Sequence, residues 1–264
     1  MLELRNLSVR YGGKRALDNV SLDFRAGELL AVIGPNGSGK STLLRAAAGL
    51  LPCDGAATLD GVPLRNLSRK EVARKVAWMP QSRTAPDITV WRMVLHGRFP
   101  HMGYPRHIRK EDRKIVAQAL EDADGAELSE RLLRELSGGE RQKAYLATAL
   151  AQQCDTILMD EPTAYLDIAH QFRVLSLAKR LAADGKAVAA VLHDLPMAFQ
   201  FADRIALLRN GRLARTGTPE ELFAQQIISE VFGVTLQRVW NHSDWRYYCS
   251  VDREESALSG TGPS

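Results

Sequence analysis

The sequence predicts an α/β fold in which helices cover a mixed, mainly parallel β-sheet. Apolar runs of strand length at Glu28–Ile33, Thr156–Met159 and Val188–Leu192 indicate buried strands. A helical pattern at about residues 168–183 separates the second run from the third. Because parallel neighbours need a long crossover connection, this alternation is typical of a parallel sheet. Alternating apolar residues between positions 2 and 9 predict, in addition, an antiparallel β subdomain at the N-terminus.

The middle of the chain departs from the strand–helix alternation. Residues 84–150 are rich in helical patterns, and we interpret them as a helical subdomain inserted into a single domain, residues 1–252. The two parts of the core are then expected at about 1–83 and 151–252. Residues 253–264 are small and polar, so a disordered tail is expected there.

Charge and apolar content argue against several classes of protein. The formal net charge of +4 is not concentrated in a dense Lys/Arg block with interleaved aromatic residues, so no nucleic-acid partner is expected. The longest apolar stretches have only strand length, and the N-terminus lacks the layout of a signal peptide. The three cysteines are widely spaced and are expected to be free thiols. We therefore expect a protein that is made and kept in the cytosol.

A glycine-rich loop follows the first buried strand and fits the P-loop pattern G-x-x-x-x-G-K-S. It consists of Gly34, Pro35, Asn36, Gly37, Ser38, Gly39, Lys40 and Ser41, and Thr42 follows in the predicted helix. Glycines let backbone N–H groups point at phosphate oxygens, and the helix N-terminus adds a positive dipole end. Lys40 supplies a charge for the β- and γ-phosphates, and Ser41 supplies a hydroxyl ligand for Mg²⁺. The loop predicts nucleoside triphosphate binding on a P-loop NTPase core.

A second glycine-rich motif lies about a hundred residues downstream of the P-loop. Its residues are Leu136, Ser137, Gly138, Gly139 and Glu140. A serine and two glycines at a helix N-terminus make an anion site by the same physics as the P-loop. Alone, the motif is also compatible with a flexible loop. Together with the P-loop, it indicates a second contact for a polyphosphate.

Two carboxylates, Asp160 and Glu161, follow the predicted strand Thr156–Met159. Ligands of α/β proteins bind at the carboxyl ends of the strands. We expect Asp160 to hold the Mg²⁺ shell and Glu161 to polarise the attacking water as a general base. The alternative is an acidic pair that caps a helix, which the P-loop upstream makes less favourable.

Three further side chains have the chemistry of a nucleotide site. His193 follows the strand Val188–Leu192 and is expected to contact the γ-phosphate, although a histidine there also suits a plain surface. Gln81 follows the strand Val76–Met79, and its amide is able to ligate Mg²⁺ or water. Tyr11 is suited to stack on adenine, and local packing explains it equally well.

In their order along the chain, these motifs resemble those of ABC-transporter ATPases over about residues 1–235. The resemblance implies the following roles: Tyr11 as the A-loop stacker, Gln81 as the Q-loop switch, Ser137–Glu140 as the signature motif, Asp160 and Glu161 as the Walker B pair, Ala164–Asp167 as the D-loop, and His193 as the H-loop switch. Catalysis is thereby assigned to Lys40, Gln81, Glu161 and His193, with ATP as substrate and Mg²⁺ as cofactor.

The resemblance also implies partners and a location. Two copies face each other head to tail as a homodimer, so that each ATP lies between the P-loop of one copy and the signature motif of the other. When hydrolysis opens the dimer, the motion passes to two membrane permease subunits. A periplasmic or lipid-anchored substrate-binding protein takes part indirectly. The chain is then expected at the cytoplasmic face of the cell membrane as a peripheral subunit.

Some segments are similar, more narrowly, to ATPases that import iron–siderophores, haem and cobalamin. They are Gly97–Pro100 after Val90–Leu95, Leu166–Gln171 and Val191–Leu195. They favour an ATPase that powers uptake of a metal chelate. Two alternatives remain: a cytosolic ATPase of the same type without a membrane partner, for example in cluster assembly, and a nucleotide-gated scaffold that hydrolyses nothing.

Two positions differ from the usual pattern of that family. The D-loop begins Ala164-Tyr165, where a Ser-Ala start is usual, and a hydroxyl is thereby lost. Lys143 stands where an arginine is usual after the signature motif. Neither change removes a catalytic group, so we expect them to affect communication between the two sites rather than ATP binding.

Overall fold

The computed structural model describes residues 1–81, 85–242 and 244–251. Within these residues, the larger sheet has six strands. Their spatial order is β10 (Arg212–Gly217), β9 (Arg204–Arg209), β3 (Glu28–Ile33), β8 (Ala187–Val191), β7 (Thr156–Met159) and β6 (Val76–Met79). The strands from β9 to β6 are parallel, and only β10 is antiparallel to its neighbour. The predicted α/β fold with a mixed, mainly parallel sheet is confirmed.

The predicted antiparallel β structure near the N-terminus forms a separate four-stranded sheet within the described chain. Its order is β2 (Lys14–Phe24), β1 (Leu2–Tyr11), β4 (Asp54–Leu59) and β5 (Val62–Pro63). Asp60 and Gly61 make the turn between β4 and β5, with φ of 51° and 80°. Such positive φ values are what a tight hairpin turn requires.

Helices connect the strands and cover the larger sheet. In chain order, the α-helices of the described residues are α1 (Lys40–Ala47), α2 (Arg69–Ala73), α3 (Val90–His96), α4 (Lys110–Asp122), α5 (Gly138–Ala151), α6 (Ile168–Ala183), α7 (Leu195–Phe201), α8 (Pro219–Ala224) and α9 (Ile227–Phe232). Capping boxes at Ser68 and Thr218 open α2 and α8. Gly49, with φ of 69°, lies just beyond the C-terminus of α1.

Strand β3 divides the apolar core into two clusters. Leu29, Ala31 and Ile33 face one cluster, and Leu30 and Val32 face the other, as the alternation of side chains along a strand dictates. The first cluster continues into α3, α4 and α5, and the second into α1 and the four-stranded sheet. The helical segment therefore shares one core with the larger sheet. The predicted subdomain boundaries at 83–84 and 150–151 remain a prediction.

The end of the described chain is a hairpin of β11 (Thr235–Asn241) and β12 (Asp244–Ser250), which pair with each other. It packs on the protein through Tyr247, whose ring lies 5.4 Å from that of Phe199. The tail expected at 253–264 lies outside the described residues. None of the helices in the described part of the chain combines the length and apolar character that crossing a bilayer requires.

Candidate active site

Parallel strands bring the predicted site residues to one edge of the larger sheet. The P-loop follows β3, Gln81 follows β6, Asp160 and Glu161 follow β7, and His193 follows β8. Because these strands are parallel neighbours, their carboxyl ends lie side by side. Segments from four distant parts of the sequence thereby meet.

Lys40 lies inside the P-loop, with 6% of its surface exposed. Its Nζ donates hydrogen bonds to the carbonyl oxygens of Gly34, at 2.8 Å, and Pro35, at 3.1 Å. Burial lowers the pKa of Lys40, and the carboxylates of Glu161 and Asp160 oppose that shift. The loop thus holds a cation that its own backbone carbonyls solvate.

The shape of the P-loop depends on its glycines. A Cβ on Gly34 would lie 2.2 Å from the carbonyl oxygen of Leu208, so no other residue fits there. Gly39 has φ of 101°, and its Cβ would lie 2.7 Å from the carbonyl oxygen of Ala16. The buried Oγ of Ser38 has no hydrogen-bond partner among the described residues. An orphaned hydroxyl in a glycine-lined loop at a helix N-terminus fits a phosphate oxygen.

Ser41 and Asp160 bring two oxygen donors together where α1 begins and β7 ends. Oγ of Ser41 donates to Oδ1 of Asp160 at 2.9 Å. Burial is the largest influence on Asp160 and raises the pKa of its carboxyl, while the bond from Ser41 opposes this shift. The pair fits Mg²⁺, which prefers oxygen ligands and is bound by one or two carboxylates together with substrate phosphates. Gln81, the third predicted ligand, directs its amide nitrogen at Glu161.

The carboxylate of Glu161 contacts two other predicted site residues, one through each oxygen. Its Oε2 accepts a hydrogen bond from Nε2 of Gln81 at 2.6 Å, and its Oε1 lies 2.8 Å from Nε2 of His193. Its φ is 54°, in the left-handed region that costs an ordinary residue about 1–2 kcal/mol. The side chain is 19% exposed, so water has access to it. A carboxylate held by two partners at a sheet edge is suited to act as a base.

The signature motif opens helix α5 with a capping box. Oγ of Ser137 accepts from the backbone N–H of Glu140, and Oε2 of Glu140 accepts from the backbone N–H of Ser137 at 2.7 Å. The other carboxylate oxygen, Oε1, accepts from Nη1 of Arg131 at 2.6 Å. The structure therefore gives Glu140 a capping role. Its contact with nucleotide, like those of Ser137, Gly138 and Gly139, remains a prediction.

Tyr165 of the D-loop packs against the signature motif of its own chain. It has φ of 63° and is 73% exposed. A Cβ on Gly138 would lie 3.2 Å from both Cβ and Cγ of Tyr165, so the glycine makes room for the tyrosine. The unusual Ala164-Tyr165 sequence thus places an aromatic ring where the D-loop and α5 meet.

Tyr11 ends β1 and pairs with Lys14 across the β1–β2 turn. Its side chain is 43% exposed and available to a flat ligand. The following strand brings Ala16 next to Gly39, so this hairpin lies beside the P-loop. Its stacking on adenine remains a prediction.

The sequence did not indicate the contacts of two buried polar side chains, Gln142 and Arg98. Gln142 is 3% exposed, and its Nε2 donates to the backbone carbonyl of Glu161 at 2.8 Å. Arg98 donates from Nε to Oδ1 of Asp112 at 3.1 Å and from Nη1 to the carbonyl of Ala151 at 2.9 Å. Gln142 lies four residues after Gly138 and shares its face of the helix, but that spacing alone does not indicate burial.

The segment after α3 contains one turn of 3₁₀-helix at Phe99–His101. A Cβ on Gly97 would lie 2.4 Å from the carbonyl oxygen of Thr148, so this glycine lets α3 end against α5. Lys143, the other departure from the usual pattern, donates to Asp124 at 3.1 Å.

Comparison with known proteins identifies the family. A family model described as ABC transporter matches residues 17–164. The chain belongs to the ABC transporter family. This membership confirms the resemblance drawn from the motifs, and it makes the chain an ATP-binding protein and an ATPase of the ABC type.

Curated relatives extend the similarity over most of the chain. A hemin import ATP-binding protein of Streptomyces coelicolor is 45% identical over 228 residues, 86% of this chain and 81% of that protein. A petrobactin import ATP-binding protein of Bacillus anthracis is 39% identical over 239 residues, 89% of this chain and 88% of that protein. A ferric enterobactin transport ATP-binding protein of Escherichia coli is 39% identical over 231 residues, 86% and 85% of the two chains.

Solved structures of ABC proteins share the fold. A dimeric ATP-binding cassette bound to ADP and Pi superposes with a TM-score of 0.74 at 30% identity, covering 83% of this chain and 99% of that chain. An ABC transporter described as of metal-chelate type, in an inward-facing conformation, gives a TM-score of 0.79 at 27% identity, covering 94% and 96%. The predicted P-loop NTPase fold is thereby confirmed.

Proposed function

We propose that this chain is the ATP-hydrolysing subunit of an importer that takes up a metal chelate. An iron–siderophore is the favoured cargo, and haem and cobalamin are the other candidates. The observation that carries the enzymatic part is the Glu161 carboxylate, held by Gln81 and His193 beside the Ser41–Asp160 pair. The cargo class is supported by relatives that import hemin, petrobactin and ferric enterobactin.

In the proposed reaction, Glu161 accepts a proton from the attacking water. The water oxygen bonds to the γ-phosphorus while the bond from that phosphorus to the β–γ bridging oxygen breaks, and ADP leaves with the electron pair. Gln81 and His193 keep the two carboxylate oxygens oriented toward the water. Lys40 stabilises the charge that develops on the phosphate oxygens, and the P-loop N–H groups contribute to the same effect.

Magnesium has a suitable place in this scheme. Ser41 and Asp160 would hold it, and Gln81 would join them if its amide turned from Glu161. When bound, the ion neutralises charge on the β- and γ-phosphate oxygens. In the described part of the chain, no cluster of three or more His, Cys, Asp or Glu side chains forms a cage for a metal, so the phosphates would complete the shell.

The proposed assembly is a homodimer of this chain with two membrane permease subunits, at the cytoplasmic face of the cell membrane. The signature motif supports it, because Ser137 is exposed and the N-terminus of α5 that follows it is suited to bind an anion, such as a phosphate held by the P-loop of a second copy. The dimeric cassette of similar fold gives further support. A periplasmic or lipid-anchored substrate-binding protein would load the permease.

The experiment is MgATP hydrolysis by the purified chain, alone and with a candidate permease in liposomes. Hydrolysis that rises with permease and with a binding protein loaded with an iron–siderophore supports the proposal. Stimulation only by haem-loaded or cobalamin-loaded binding protein reassigns the cargo. Robust hydrolysis indifferent to any permease favours an ATPase without a membrane partner. Tight ATP binding without hydrolysis in either setting favours the scaffold.

A further inference from the structure

The backbone carbonyl of Glu161, like its carboxylate, has two hydrogen-bond partners. Its carbonyl oxygen accepts from Nε2 of Gln142 at 2.8 Å and from the backbone N–H of Ala164 at 3.1 Å. Because φ of Glu161 is 54°, local preference does not favour this conformation, and the surroundings must maintain it. The bond from Ala164 closes the turn in which Glu161 lies. Among the described residues, the bond from Gln142 reaches the backbone of Glu161 from another element, helix α5.

Gln142 connects two functional motifs of the same chain. It lies on α5 one turn after Gly138, and only 3% of its surface is exposed. A buried amide is stable only where its polar atoms are bonded, so its contact with Glu161 is part of the packing that fixes α5. A displacement of the signature helix therefore pulls on the backbone of the proposed base.

We propose that Gln142 is a positioning residue that ties the orientation of Glu161 to the position of helix α5. The inference rests on the proposed function, in which Glu161 is the base and the signature motif contacts ATP bound by the other copy. Engagement of α5 at one ATP then orients the base at the other ATP. Gln142 thereby couples the two hydrolytic sites of the dimer, independently of the D-loop contact between Tyr165 and Gly138.

The test is steady-state ATP hydrolysis by Gln142→Met, which keeps the volume and removes the amide donor. Misplacement of a reacting group lowers turnover rather than binding, so we expect kcat to fall about tenfold and the KM for ATP to stay within about twofold. The Hill coefficient for ATP should fall toward 1. In a Glu161→Gln background, single-turnover rates should show no further loss, because the positioned group is already absent.

Gln152→Met is the matched control. Gln152 caps the C-terminal end of α5, and its amide donates to the backbone carbonyls of Ala73 and Val76. The same chemical change therefore removes similar bonds from the same helix without touching Glu161. We expect a lower melting temperature with unchanged kcat and Hill coefficient.

The inference would be overturned if Gln142→Met had the same kcat and Hill coefficient as Gln152→Met. It would also be overturned if Gln142→Met lowered the hydrolysis rate by the same factor in the Glu161→Gln background as in the parental chain. If Gln142→Met does not fold, Gln142→Asn is measured in its place, since its shorter amide does not span the same contact, and the same outcomes apply. Failure of the proposed function is a different result: the parental chain hydrolyses no ATP, or Glu161→Gln hydrolyses it at the parental rate.

Discussion

Gln81 and Glu161, 80 residues apart in the sequence, are joined by a hydrogen bond of 2.6 Å from Nε2 to Oε2. The second carboxylate oxygen of Glu161 lies 2.8 Å from Nε2 of His193. Gln81 follows β6 and His193 follows β8, the two strands that flank β7. The base is therefore oriented from both neighbouring strands. A change of partner by Gln81 when permease contacts or nucleotide change would release one oxygen of the carboxylate.

The buried carboxyl of Asp160 predicts a pH-dependent cost in stability. Burial raises the pKa of Asp160 in the folded chain above its value in the unfolded chain. Below the unfolded pKa the carboxyl is neutral in both states, and stability is highest with respect to this group. As the pH rises through the folded pKa, the buried carboxyl must ionise and that stability is lost. Asp160→Asn should therefore raise the melting temperature at pH 7, by about 2–4 °C for each 1 kcal/mol relieved. The measurement is thermal unfolding without nucleotide or Mg²⁺ between pH 4 and pH 8.

The gain in melting temperature from Asp160→Asn should shrink toward pH 4, where the parental carboxyl becomes protonated. Asp155→Asn, at an exposed position just before β7, is the control and should change stability by less than about 0.5 kcal/mol. A lower melting temperature for Asp160→Asn at pH 7 would contradict this account of the site.

Arg131 should influence ATP hydrolysis through the charge of Glu140, although its Nη2 also donates to the backbone carbonyl of Glu135 at 3.1 Å. The carboxylate stands at the N-terminus of α5, where a triphosphate is proposed to bind, and Arg131 neutralises it. Arg131→Ala should lower kcat/KM roughly two- to fivefold, which is the scale of an exposed ion pair. Glu140→Gln preserves the capping box without the charge, so Arg131→Ala should have little effect in that background. The four ATPase rates form a double-mutant cycle, and an equal loss in both backgrounds would rule out the coupling.

Arg98 should be a structural residue of the helical segment. Its ion pair with Asp112 is 8% exposed on both sides, so Arg98→Ala leaves a buried carboxylate that keeps the bond from the backbone N–H of Arg109 but has lost its cationic partner. We expect a loss of about 3–5 kcal/mol in the free energy of unfolding. Arg134→Ala breaks an exposed pair with Asp87 and should cost less than about 1 kcal/mol. Urea unfolding of both variants measures the difference, and equal losses would contradict the role of burial.

Much of the site was predictable from the sequence because of one geometric rule. The carboxyl ends of neighbouring parallel strands meet, so Gln81, Glu161 and His193 were expected together and are found hydrogen-bonded. The capping box formed by Ser137 and Glu140 could also be predicted from the sequence, since a serine followed three residues later by a glutamate is its signature.

The contacts of Gln142 and Arg98 were not predictable in the same way. Each joins segments that only tertiary packing brings together: α5 with the turn after β7, and the end of α3 with α4 and α5. Neither lies at the end of a strand, and a polar residue in a helical pattern ordinarily predicts an exposed face. Burial of an amide or a guanidinium becomes visible only when the packing partners are known.

The central claim is that Glu161 is the base, and Glu161→Gln tests it most directly. The amide keeps the size of the side chain but accepts no proton, so hydrolysis should fall by at least about 100-fold. ATP affinity should be unchanged, because Lys40 and the P-loop are untouched. We would measure ATP binding, hydrolysis and molar mass in MgATP on the same sample. The predicted result is bound ATP, a stable dimer and lost hydrolysis; hydrolysis at the parental rate would contradict the claim.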